Sequence, residues 1–66
     1  MKKVKINREI YSKESIEQTM RAFKNHAIMS VTYNKEYATI HFIKCKYDET
    51  QTINEFENYM IGVENS

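Results

Sequence analysis

At 66 residues there is room for one domain, 1–66, and a chain this short buries only about 60% of the surface it exposes when unfolded, so a partner or a second copy would add to a thin stability margin. Ten Lys and Arg against nine Asp and Glu leave a net charge of +1, which gives no field to steer nucleic acid or an anionic membrane, and one Gly with no Pro excludes a glycine-rich phosphate loop. The single Cys45 makes no internal disulfide and no stretch reads as a signal peptide or a transmembrane helix, which predicts a cytoplasmic protein.

Lys2 and Lys3 start the chain, and Val4, Ile6 and Ile10 alternate with polar residues as in a strand ending near Glu9 or Ile10. Ser12 stands at an N-cap position with Glu14 in the following turn, and Ile16, Thr19, Met20, Phe23 and Ala27 recur at helical spacing, predicting a helix over about Lys13 to Asn25. Lys13, Glu17 and Arg21, four apart, read as its solvated face.

The stretch Ala27 to Cys45 reads as two strands joined at Asn34-Lys35, where Asn34 can take a positive φ at low cost and the connection can extend through Lys35 and Glu36. Met29, Val31 and Tyr33 point to one face with Ala38, Ile40 and Phe42. Ile28, Ser30 and Thr32 point to the other with Tyr37, Thr39, His41, Ile43 and Cys45. A second helix follows the polar run Lys46 to Gln51. Its cap candidates are Asp48 and Thr50 to Thr52, Thr52 with Glu55 fits a capping box, and Ile53, Phe56, Met60 and Val63 form the buried stripe, with Gly62 near the end either as a stop signal or inside a fraying last turn.

The resulting fold class is α+β: β-α-β-β-α, a three-stranded antiparallel sheet with two helices packed on one face. It is a truncated ferredoxin-like order, whose last strand is expected to be missing because only Glu64, Asn65 and Ser66 follow the second helix. The first strand then lies beside the third with nothing on its outer side. Lys2, Lys3, Lys5 and Arg8 would protect that edge, while Val4, Ile6 and Ile10 leave it open to pairing with another chain.

No constellation of catalytic residues is visible, and a non-enzymatic role without cofactor is expected. His26, His41 and Cys45 are the imidazole and thiol groups. His41 and Cys45 lie four apart on a strand, about 13 Å at the usual rise, too far to share a metal ion or to act as base and nucleophile. Glu55 and Glu57 point in different directions on a helix. Tyr11, Tyr33, Tyr37, Phe42, Tyr47 and Tyr59 are many aromatics for so short a chain, and Tyr37, Ile43 and Ile28 predict an open sheet face apolar enough to be covered by a partner or a second copy. A sheet with exposed tyrosines could also stack bases, but the near-zero net charge counts against a nucleic-acid binder.

Two segments carry a resemblance: Ile10-Tyr11-Ser12-Lys13-Glu14-Ser15-Ile16 continuing to Ala22-Phe23, and Glu55-Phe56-Glu57-Asn58-Tyr59-Met60-Ile61. With the hairpin between them, the chain resembles the small HxsD-like proteins that accompany radical-SAM enzymes in modifying ribosomally made peptides, as in His-Xaa-Ser systems. The resemblance implies an accessory protein without catalytic activity whose partners are a radical-SAM maturase, its precursor peptide, or both. Asn58 falls off the apolar stripe, where a polar residue would serve a loop or a partner. The partner-binding candidates are therefore Val4, Ile6, Arg8, Ile28, Tyr37, His41, Ile43 and Asn58, with strand addition at the first strand as the expected mode and a self-associating homodimer as the alternative.

Overall fold

A computed structural model describes residues 2–66 as β1 (Lys2–Asn7), α1 (Lys13–Ala22), β2 (Ala27–Tyr33), β3 (Tyr37–Cys45) and α2 (Glu49–Glu64). The sheet order is β1-β3-β2, antiparallel throughout, so β3 is central and both β1 and β2 lie at margins. Alternation along the strands sends Val4 and Ile6 of β1, and Ala38, Ile40 and Phe42 of β3, to the side where the helices lie. There they meet Ile16 and Phe23 from the α1 segment and Ile53, Phe56 and Met60 of α2. Phe56 is the hub: its ring packs edge-on against Phe42 of the sheet (5.3 Å between centroids) and Phe23 beyond α1 (5.5 Å), joining three elements at one point.

Two buried threonines show how the helices bury polar side chains without penalty. Thr19 donates its hydroxyl to the Ser15 carbonyl and Thr52 to the Asp48 carbonyl, each 2.8 Å away and four residues back, so neither hydroxyl is left unpaired in the core. Ser12 caps α1 by accepting from the Ser15 N–H (3.1 Å). The last turn of α2 reinforces it: the Glu64 carboxylate accepts from the Ser12 N–H (3.0 Å) and the Ser15 hydroxyl (2.7 Å), at the positive end of α1. These donors hold the Glu64 carboxyl below its ordinary range, the Ser12 amide contributing most.

Several local expectations are corrected. Strand β1 stops at Asn7, not at Glu9 or Ile10, because Asn7 forms a turn: its side-chain oxygen accepts from the Glu9 N–H (2.8 Å) and its carbonyl from the Ile10 and Tyr11 N–H groups. Ile10 is consequently 62% exposed and belongs to no strand. Helix α1 ends at Ala22, three residues before the expected Asn25, because the chain turns at buried Phe23, whose carbonyl accepts from both His26 and Ala27. Asn34 keeps a negative φ and organises the hairpin through its side chain instead, accepting from the Glu36 (2.9 Å) and Tyr37 (2.7 Å) amides. Asp48 is the N-cap of α2, accepting from the Gln51 N–H (2.9 Å). Thr52 thus lies inside the helix and makes no capping box with Glu55; of the two placements open to Gly62, the structure has it inside the last turn of α2.

The largest correction concerns the end of β3. Ile28 pairs with Lys44 while Met29 pairs with Phe42, so Ile43 has no partner and forms a β-bulge. One extra residue reverses the alternation beyond it. Cys45, expected on the open face with His41, instead packs against the core, and Lys44 and Ile43 are both exposed. Burial pushes the Cys45 thiol pKa up and the Glu49 carboxylate adds to the effect, so the thiol stays protonated.

Candidate functional site

The hydrogen-bonding phase of the sheet fixes what each margin offers. The Arg8 N–H donates to the Glu36 carbonyl (2.9 Å), and stepping back by twos turns the main-chain groups of Ile6 and Val4 towards β3. Those of Lys3, Lys5 and Asn7 then face outward. On the other side, the Asn34 N–H donates to the Tyr37 carbonyl (2.9 Å) and the Lys46 N–H to the His26 carbonyl (2.8 Å). Even-numbered residues of β2 therefore bond β3, while Ala27, Met29, Val31 and Tyr33 turn their main chain to the free side. The Ala27 N–H is taken by the Phe23 carbonyl (3.2 Å), which leaves Met29 to Tyr33 as the open stretch.

The eight residues expected to bind a partner fall in three places. Val4 and Ile6 are 9% and 3% exposed, so a partner at β1 meets their strand through its backbone and not through these side chains. Arg8 folds back on the hairpin: its guanidinium donates to the Asn34 carbonyl and lies 5.2 Å from the Tyr33 ring. Ile28, Tyr37, His41 and Ile43 lie on the sheet face opposite the helices, but not as one apolar patch. Ile28 and Ile43 meet at the bulge, whereas Tyr37 is six residues further along β3, about 20 Å away at the usual rise, beneath the Lys5 ammonium (4.6 Å). Lys3, Lys5, Ser30, Thr32 and Thr39 fill the space between, and His41 lies 3.4 Å from the Thr32 hydroxyl. Asn58 is exposed on α2, in the helical layer, and joins neither margin.

Tyr33 closes the far end of β2. The Lys13 ammonium (5.3 Å) and the Arg8 guanidinium flank its ring, and its hydroxyl is buried near the Glu17 carboxylate. Burial raises the Tyr33 pKa most, the nearby Glu17 carboxylate raises it further, and Arg8 opposes both. At the near end, residues that the pattern of the sequence did not single out as a site come together. Arg21 and Lys24 from the end of α1 and Lys44 and Lys46 from the end of β3 border concavities beside Ala27, Ile28 and Met29. The signal was present only in the pairing of Ile28 with Lys44, which depends on the bulge.

Among the described residues, no three His, Cys, Asp or Glu side chains cluster to hold a metal ion, and no helix is long and apolar enough to cross a membrane. The fold and its margins define an α+β domain built on a three-stranded antiparallel sheet that is open on two sides among the described residues. Compared with known proteins, the chain matches no family model, no curated protein and no solved structure.

Proposed function

We propose that this protein is a non-catalytic binding subunit that engages the maturase or the precursor peptide of a radical-SAM peptide-modification system, taking up an extended segment by strand addition at the outer side of β1. The observation that carries the binding mode is the outward main chain of Lys3, Lys5 and Asn7, which has no strand beside it among the described residues. The resemblance at 10–16 and 55–61 supplies the class of partner. Side chains set the selectivity: Lys3 and Lys5 stand on the open face beside the incoming strand and favour acidic or polar residues there.

The test is amide hydrogen exchange on the full chain with and without a co-purifying radical-SAM enzyme and its precursor peptide. Strand addition slows exchange at Lys3, Lys5 and Asn7. Unchanged exchange there, with binding demonstrated by other signals, overturns the mode, and absence of any complex with such an enzyme or peptide overturns the partner class. A second reading, a homodimer, is favoured by the exposed pair Ile28 and Ile43 (59% and 51%) at the bulge. It does not suit β1, where antiparallel pairing of two copies would set lysine against lysine. A monomer in sedimentation at high concentration excludes it.

A further inference from the structure

The net charge of +1 conceals a local asymmetry. Two adjoining concavities, of about 260 and 410 Å³, share Lys24, Ala27 and Ile28: the larger lies at the free side of β2 beside Met20, Arg21 and Met29, and the smaller opens over Ile28, Lys44 and Lys46. Arg21, Lys24, Lys44 and Lys46 border them, and among the described residues no Asp or Glu does. The remaining lining is Met20, Ala27, Ile28 and Met29 with Asn25 and His26, so the groove is apolar at its floor and cationic at its rim. Its position matters as much as its charge. Ala27 and Met29 face the helices and Ile28 faces the opposite side of the sheet, so a groove lined by all three passes across the strand edge itself. An occupant of the larger concavity would lie against the outward main chain of Met29, and an extended one continuing along the free side of β2 would reach that of Val31.

We propose that this groove is a second docking site, distinct from the β1 margin and independent of what occupies it, and that it takes an extended acidic peptide segment with apolar residues at alternate positions. The main chain of such a segment pairs with Met29 and Val31, and because side chains alternate, its apolar residues turn to the helix side over Met20 and Met29 while its carboxylates turn to the open face, where Lys44 and Lys46 stand beside Ile28. The bulge creates the site. Without the extra residue at Ile43, Cys45 would turn outward and the two lysines around it would turn towards the helices. A nucleic-acid strand would use the cations but leave the strand edge and the apolar floor unpaired, so the peptide satisfies more of the groove.

The experiment titrates the full-length protein with three probes: a short capped peptide alternating Glu and Val, its Lys and Val counterpart, and a short oligothymidylate. Amide chemical shifts and exchange are read together. The expected result is slowed exchange at Met29 and Val31 with the acidic peptide alone, and affinity about tenfold weaker in Lys44→Glu/Lys46→Glu, as loss of two exposed charge contacts implies. Both lysines are exposed, and Lys44→Gln/Lys46→Gln, with a smaller loss, separates charge from any effect on folding. Equal binding of the basic peptide, binding of the oligothymidylate alone, protection confined to Lys3, Lys5 and Asn7, or no binding of the acidic peptide would each overturn the proposal.

Discussion

The two margins of the sheet are both unpaired among the described residues, yet they are built differently. The β1 margin is short, its Val4 and Ile6 side chains are spent on the core, and Asn7 already gives its carbonyl to the turn that follows. The β2 margin has α1 running beside it, from Lys13 at Tyr33 to Lys24 at Ala27, so its backbone lies along a groove with side chains on both walls. An open strand becomes a selective site only where a neighbouring element adds side-chain chemistry to the bare backbone ladder.

Both margins depend on the same core, and the largest effect comes from removing what they share. Phe56→Ala deletes the ring that joins sheet, α1 segment and α2, and should destabilise the fold by about 3–5 kcal/mol in denaturant unfolding. A loss under about 1 kcal/mol would contradict the single-core account.

Lys5→Pro sharpens the comparison, because the Lys5 N–H faces outward and proline is tolerated at such edge positions. Stability should change by less than about 1 kcal/mol while partner binding at β1 is lost and the acidic-peptide groove is untouched. Circular dichroism melts and the exchange experiment read the two effects separately. Asp48→Ala removes the cap of α2 next to the Lys44 to Lys46 wall and should cost about 1 kcal/mol, measured as a shift in the unfolding midpoint.

The smallest effect is pH-dependent. Glu64 has a lowered pKa in the fold, so its contribution is present above the ordinary glutamate range and disappears as pH falls through the lower folded value. The stability difference between wild type and Glu64→Gln should therefore be positive near neutrality and shrink on acidification. A difference that grows at low pH would place the carboxylate elsewhere than on the α1 cap.

The element order, the central hairpin and the sheet face built from Ala38, Ile40 and Phe42 were legible because alternation in a half-buried strand is a strong signal. The misread positions have distinct physical causes. At Asn7 and Asn34 a side-chain amide bonded nearby backbone, ending a strand in one case and replacing a positive φ in the other, and apolar patterning is blind to such bonds. At Ile43 a bulge moved Cys45 to the opposite side, and no residue type announces a bulge at that position. The cationic groove was illegible for a third reason. It assembles residues 20–29 with 44–46, and the net charge averages it away.

The most direct measurement compares exchange at two sets of amides, Lys3, Lys5 and Asn7 against Met29 and Val31, as the Glu and Val peptide is added. Selective slowing at Met29 and Val31, with β1 unchanged, is the predicted result; equal slowing at both sets would show that side-chain chemistry does not distinguish the two margins and would contradict the account.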